Sequence, residues 1–357
     1  MKGDFILLFL VLFPMIAAVV GYLIGRRNKM YRDYFAIVAT ILEVEVFAYL
    51  FVTFTETKDF ILEGFCYMGM RFTLDGFRVI YGLVAGFMWM MTTLFSRHYF
   101  AHYRNRNRYY FFTLVTLGAT VGVFLSADLF TTFIFFEIMS FTSYVWVTQN
   151  EDKDSRRAAA TYLAVAVIGG LVMLMGLFIL YNETKTLVIR DLYAASQTAN
   201  PTILYIAGGC ILFGFGAKAG MFPLHIWLPK AHPVAPAPAS ALLSGILTKT
   251  GVYGILVISS QIFLHDANWG KVILFLGVVT MFLGAFLAIF SIDLKRTLAL
   301  SSMSQIGFIL VGVGMQGILG HHNALAVRGT LLHMVNHSIF KLGLFMIAGV
   351  VVRNLHK

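Results

Sequence analysis

Apolar stretches of about twenty residues recur along the whole chain, separated by short polar connections that carry most of the charge. A helix needs that length to cross the roughly 30 Å hydrocarbon core of a bilayer at about 1.5 Å per residue. The pattern predicts eleven transmembrane helices, near 5–25, 34–54, 77–96, 109–127, 129–148, 158–181, 202–222, 239–262, 271–290, 298–317 and 328–352. The first, Phe5–Gly25, has Arg26, Arg27 and Lys29 after it rather than before it, which marks an uncleaved span and not a secretory signal peptide. The longest connections, 55–76 and 182–201, run to about twenty residues, so no soluble domain is expected.

Composition agrees with this reading. Of 357 residues, 59% are hydrophobic and 12% charged, too little polar surface to cover a water-soluble core. The expected fold is therefore an all-α polytopic membrane protein with the lipid bilayer as its solvent. The net charge of +10 does not point to nucleic acid. The stretch RHYFAHYRNRNRYYFF (97–112) mixes arginines with aromatics, as a cytoplasmic loop and a membrane-interface belt do. Cys66 and Cys210 have no ligand or disulfide spacing, so no cofactor and no metal is expected in this chain, and any redox centre belongs to another one. His321 and His322 lack the carboxylate or thiol neighbours a metal site needs.

The basic residues also orient the chain. Arg26, Arg27, Lys29, Arg32, Arg97, Arg104, Arg106, Arg108, Lys153, Arg156, Arg157, Lys230, Lys295, Arg296, Arg353 and Lys357 fall on one side, sixteen against eight on the other. By the positive-inside rule the N-terminus is outside and the C-terminus cytoplasmic, in a cell membrane.

Ionisable groups within spans are costly and are functional candidates by default. Glu137 in span 5, Lys218 in span 7, Lys249 in span 8 and Lys341 in span 11 stand out. His333, His337 and Lys341 recur every four residues and so share one helix face, which suits a proton relay. A static buried ion pair would also account for Glu137 and Lys218, snorkelling for Lys249, and interhelical hydrogen bonds for the histidines. For a mobile pair at about 6 Å and an effective dielectric near 20, the attraction is roughly 3 kcal/mol, about a hundredfold in proton affinity. Glu43 and Glu45 are two residues apart in span 2, point to different sides, and are kept out of the relay. At least one of them is expected to meet another subunit or a lipid headgroup.

Beyond Lys218, flanked by Gly214, Gly216 and Gly220, Pro223 is expected to end the regular helix of span 7. HPVAPAPAS (232–240) then reads as a stiff extended crossing to span 8. A break in mid-membrane is tolerated where backbone is buried in protein or lines water, so a hydrated site is expected beside Lys218.

The stretch KAGMFPLHIWLPKAHPVAPAPASALLSGILTKTGVYG (218–254) resembles the signature of the antiporter-like proton-translocating subunits. These occur in respiratory complex I, in membrane-bound hydrogenases and formate hydrogenlyases, and in Mrp-type sodium/proton antiporters. FFEIMSFTSYVW (135–146), SIDLKRTLALSSMSQIG (291–307) and LLHMVNHSIFKLGLF (331–345) agree. The resemblance covers most of residues 70–352; the first seventy match only in being two spans. It implies that Glu137 and Lys218 form a coupling pair, that Lys249 continues a central relay, and that His333, His337 and Lys341 extend it, with Pro223 marking the broken span. It also implies two inverted five-helix repeats, dividing the chain into a three-span segment (1–108), a first repeat (109–262) and an incomplete second (263–357). Family members have about fourteen spans, so the last ones are expected on another chain or across a split or truncated gene.

The function so implied is that of a proton-translocating membrane subunit of a redox-driven complex, NADH-quinone oxidoreductase-like or hydrogenase-like. Other membrane subunits and peripheral iron–sulfur subunits would be its partners. An Mrp-type cation/proton antiporter subunit is the alternative, and an inert scaffold retaining the charges a third.

Overall fold

A computed structural model describes residues 2–64, 69–101, 103 and 105–355; Cys66, Arg104 and Lys357 lie outside the described residues. Among the described residues, eleven helices are long and apolar enough to cross a membrane. They are span 1 (Phe5–Arg27), span 2 (Lys29–Val52), span 3 (Gly76–Tyr99), span 4 (Arg106–Leu125), span 5 (Leu129–Val147) and span 6 (Lys153–Thr184). Span 7 (Pro201–Val234), span 8 (Ala237–Gln261), span 9 (Ala267–Ile289), span 10 (Leu294–His322) and span 11 (Ala324–Leu355) follow. Each lies where the hydropathy predicts it. Short polar side chains start them: Asp75, Asp128, Asp152, Asn200, Asp266 and Asp293 each accept a backbone N–H of the first turn.

The bundle is layered by burial. The most apolar window of span 8 is 94% buried and that of span 9 only 22%, so span 8 is the axis and span 9 faces lipid. Spans 9 and 10 pack closely, because glycines at seven-residue spacing let the backbones meet. A Cβ at Gly270 would lie 2.7 Å from Gly314 O, at Gly277 3.0 Å from Gly307 O, and at Gly284 2.9 Å from Leu300 O.

Three features depart from the sequence reading. First, the connection 55–76 is not a plain loop. Strands β1 (Lys2–Gly3), β2 (Lys58–Leu62) and β3 (Met70–Leu74) form an antiparallel sheet, with Phe60 opposite Phe72. Phe60, Phe72 and Leu74 are buried, and Phe72 rests on Phe135 of span 5 at 5.7 Å. Alternation over five residues is short enough to be lost beside twenty-residue spans. Second, the connection 182–201 holds a short helix, Ile189–Ser196, tied to the turn before span 5 by Leu129 N–H to Leu187 O (2.9 Å) and Ile189 N–H to Ala127 O (2.9 Å).

Third, the expected extended crossing over 232–240 is mostly helical. Span 7 resumes as a helix over Leu228–Val234, only Ala235 and Pro236 are extended, and helix returns at Ala237. Pro229 and Pro238 stand in the first turns of these helices, where a missing N–H costs nothing. The stop of the first half of span 7 also differs in cause. Gly220, at φ +75°, closes the helix in the left-handed conformation with its N–H turned back to Ala217 O and Gly216 O, three residues before Pro223.

A Cβ at Gly307 would meet the backbone of span 9 at Met281 and Gly277. Gly307→Val is therefore expected to force spans 9 and 10 apart and destabilise the protein by about 1–3 kcal/mol. Thermal unfolding in detergent should show a lowered Tm, and Gly329→Val, at a position with open space around it, should leave the Tm unchanged.

Candidate functional site

The break in span 7 exposes backbone groups that the bilayer cannot hydrate, and several receive a partner from the chain. Trp227 donates its indole N–H to Ala217 O (2.7 Å), Thr280 of span 9 accepts the Phe222 N–H (3.0 Å), and Leu224 N–H reaches Met221 O (2.7 Å). Two residues before Gly220 stands Lys218, 4% exposed. Its Nζ bonds to Tyr162 OH of span 6 at 2.6 Å and to Ser140 Oγ of span 5 at 3.1 Å, and it lies 5.0 Å from the Tyr162 ring centre. Tyr162 OH shares a further hydrogen bond with Ser143 Oγ (2.6 Å), and its ring packs edge-on against Trp227.

Glu137 enters the same pocket but does not touch the lysine. None of the seven ion pairs among the described residues includes it or any of Lys218, Lys249 and Lys341. The static salt bridge considered from sequence is thus not formed. Glu137 Oε1 is buried with no hydrogen-bond partner, and the carboxylate fits against span 6 because residue 170 is glycine: a Cβ there would lie 3.0 Å from Oε2. Glu137, Ser140 and Ser143 recur every three residues and so share one side of span 5. The lysine and the acid are linked through that face rather than by contact.

Span 8 carries the second lysine. Its helix widens over Leu243–Leu247 into a π-helical segment, after which the Thr248 N–H turns to Leu243 O and Ile246 O rather than to Ser244 O. Lys249 Nζ takes that carbonyl at 2.7 Å, Thr248 Oγ1 shares it at 2.9 Å, and Ser244 Oγ bonds to Ser302 Oγ of span 10 at 2.6 Å. Lys249 is fully buried, so it does not snorkel. Gly245 lets the widened turn approach span 11, where a Cβ would stand 3.3 Å from Ser338 O.

Span 11 supplies the rest. Lys341 Nζ bonds to Leu298 O (2.9 Å) and Ser301 Oγ (3.0 Å) of span 10. The rings of His333 and His337 lie nearly parallel with centres 6.3 Å apart. His337 is buried with both ring nitrogens unpartnered and lies within electrostatic reach of Lys249 and Lys341. The six site residues therefore form two groups, Glu137–Lys218 between spans 5, 6 and 7, and Lys249–His333–His337–Lys341 between spans 8, 10 and 11, with Glu137 and His333 half-buried and the other four buried. Pro223 lies beyond the break.

Sequence reasoning misses several members. Ser140 and Ser143 are within its reach, by their spacing from Glu137; Tyr162, which receives the Lys218 amine, gives no signal in span 6. His232, in the second half of span 7, is fully buried, stacks on Phe345 of span 11 at 4.8 Å, and has two unpartnered nitrogens. Lys295 counts among the loop charges by sequence, yet it is buried and donates to Ala235 O (2.8 Å), holding the extended link between spans 7 and 8. A cleft of about 910 Å³ on the arginine-rich face is lined by His225, Pro229, Lys230, Asp293 and Arg296, and Lys218 lies buried behind Trp227 and Tyr162. Glu43 is buried with both oxygens unpartnered, whereas Glu45 is exposed, so the two do point apart.

Comparison with known proteins fits this geometry. Residues 126–357 match the family described as NADH:quinone oxidoreductase/Mrp antiporter, TM. Hydrogenase-4 component B of Escherichia coli (strain K12) is 32% identical over 302 residues, covering 82% of this chain and 45% of the relative. A Na(+)/H(+) antiporter subunit of Alkalihalophilus pseudofirmus is 31% identical over 287 residues, 80% of this chain and 57% of the relative. A chain in the structure of the membrane-bound sulfane sulfur reductase, an archaeal respiratory membrane complex, superposes with a TM-score of 0.85 at 28% identity, over 96% of this chain and 56% of that one. That overlap takes in the first two spans as well, beyond the stretch that carries the motifs. The chain spans about half the length of these relatives. With its broken seventh span, its widened eighth span and lysines buried in both, the chain belongs to the NADH:quinone oxidoreductase/Mrp antiporter transmembrane family.

Proposed function

We propose that the chain is a proton-translocating membrane subunit of a redox-driven ion-pumping complex, hydrogenase-like or NADH-quinone oxidoreductase-like. One observation carries the reading: three lysines are buried within the bundle, and each donates only to neutral oxygens. An amine donates to a carbonyl or hydroxyl whether or not it carries the extra proton, so none of the three is locked as a cation. A carboxylate at 4 Å would hold the charged form by about 4 kcal/mol at an effective dielectric near 20. Glu137, near Lys218 but not bonded to it, is placed to raise or lower that lysine's hold on a proton as it moves.

In this reading Glu137 and Lys218 are the input pair, Lys249 is the central carrier, and His337, His333 and Lys341 carry the proton along span 11. The N-terminus is outside and the C-terminus cytoplasmic, with the arginine-rich cleft as the proton entrance. The partners are other membrane subunits and, on the cytoplasmic side, iron–sulfur subunits that hold the redox centres. The resemblance to an antiporter protein of Alkalihalophilus pseudofirmus supports a second reading, sodium/proton exchange without electron transfer. The two separate on the driving force: the first requires electron flow for proton movement, the second a sodium gradient alone.

In vesicles carrying the assembled complex, Lys218→Ala and Glu137→Gln should each abolish proton translocation while the complex still assembles; pumping that survives both removes the relay assignment. Lys249→Ala should slow translocation more than Lys249→His, since imidazole still carries a proton. Equal rates would take Lys249 off the path. Tyr162→Phe removes the shorter of the two acceptors of Lys218 and should destabilise the protein by about 1–3 kcal/mol. The same change in a Lys218→Met background should cost much less, as read by thermal unfolding of all four proteins.

A further inference from the structure

The relay needs a way out to the face that bears the N-terminus, and a second set of buried polar groups lies between Lys249 and that face. Tyr253 follows Lys249 by one helical turn, about 6 Å of rise, on the same side of span 8. Its ring stacks on Phe77 at 5.6 Å and meets Phe124 edge-on at 5.5 Å; Tyr81 joins the cluster through Phe77 (4.8 Å) and Phe124 (5.3 Å). Tyr253 is 2% exposed and Tyr81 1% exposed, and both hydroxyls are buried with no hydrogen-bond partner. Two orphaned phenol hydroxyls in one cluster are a place where buried water belongs, because a phenol could pack there as phenylalanine if it had nothing to bond.

Above the cluster the polar groups continue. The Tyr253 hydroxyl lies within electrostatic reach of the Arg78 guanidinium, without the geometry of a hydrogen bond to it. Arg78 is held by Phe124 O (3.0 Å), Ser126 O (3.1 Å) and the Asp75 carboxylate. Arg78 and Asp75, with Asp59, Arg71, Arg190 and Gln261, line a cavity of about 280 Å³ under the β2–β3 hairpin. Asp75 is 37% exposed by its side chain, so it meets water there.

We infer that Tyr253, Tyr81 and Asp75 form a hydrated proton route from Lys249 to the hairpin-side cavity, within this chain. The inference rests on the proton-translocating reading and adds its outlet. A proton leaving the Lys249 ammonium passes to a water. That water protonates the Tyr253 oxygen as the phenol releases its own proton onward, and the Asp75 carboxylate receives it and loses it to the cavity. No electron moves and no bond other than O–H and N–H is made or broken. Arg78 cannot release a proton, so it is not a carrier. Its guanidinium and backbone N–H hold the Asp75 carboxylate in place.

The test is proton translocation by the assembled complex in sealed vesicles. Tyr253→Phe keeps the ring packing and Asp75→Asn keeps the cap on the Arg78 N–H, so both should fold. Each is expected to slow translocation about tenfold or more. Gln261→Cys, treated from the hairpin face with a charged, membrane-impermeant thiol reagent, should lose translocation on labelling, and the unsubstituted chain treated alike should not. If Lys218→Ala stops translocation while Tyr253→Phe, Asp75→Asn and labelled Gln261→Cys all run at the unsubstituted rate, the route is overturned and the relay reading stands. If Lys218→Ala also runs at that rate, both fall together.

Discussion

Everything in this bundle follows from one constraint: inside the bilayer no water satisfies a backbone group, so each interruption of a helix must be repaired from within the chain. The chain interrupts its helices at the most buried places it has. Span 7 stops at Gly220, spans 7 and 8 are joined by two extended residues, and span 8 widens at Leu243–Leu247. The repairs are made by side chains that carry donors, Trp227 at Ala217 O, Lys295 at Ala235 O and Lys249 at Ser244 O. At two of these places the repair and the buried lysine are one structural device. At the link between spans 7 and 8 and in the widened turn of span 8, a backbone carbonyl gives a lysine somewhere to sit, Ala235 O for Lys295 and Ser244 O for Lys249.

That device also decides the chemistry. A buried ammonium is expensive and a buried neutral amine is not, and a carboxylate in contact would tip the balance firmly to the charged form. In this bundle the acceptors are neutral, so both forms are served by the same geometry and the proton can be lost without moving the side chain. Glu137 differs from a salt-bridge partner in this respect. It lies against Gly170, bonded to nothing through Oε1, with Ser140 of its own helix face interposed at the lysine. A carboxylate that is close, unbonded and given room by a glycine can change its distance, and distance is what sets its influence on Lys218.

The parts legible in the sequence are those written in long patterns or in improbable residues. Twenty-residue apolar windows locate every span, and a lysine or glutamate in such a window is conspicuous because solvation makes it rare. The partners of those lysines are not legible. Tyr162, Ser244 and Ser301 are ordinary residues for a membrane helix, and nothing marks them until the spans are packed. The β2–β3 hairpin is hidden for a related reason: its alternation lasts five residues per strand, and its buried face, Phe60, Phe72 and Leu74, exists only against the end of the bundle. Lys295 is misplaced because hydropathy sees a charge at the end of a span, not the Ala235 carbonyl that draws it inward. Proline misleads in the same way. Composition alone suggests an extended crossing, but Pro229 and Pro238 start helices rather than prevent them.

Burial decides which of the charged groups is committed to the interior. A lysine near a lipid-facing surface has an escape, since its four-carbon stem carries the amine to the headgroups. Lys249 has none. Span 8 is enclosed along nearly its whole length by spans 3, 7, 10 and 11, and the Lys249 amine points back into its own helix at Ser244 O. A group so placed exchanges with the aqueous phases only by handing its proton on. On one side its neighbour is His337, with two free ring nitrogens, and on the other is Tyr253, with a free hydroxyl. The same enclosure leaves polar groups without a hydrogen-bond partner next to span 8, at His337 of span 11 and at Tyr253 one turn beyond the lysine.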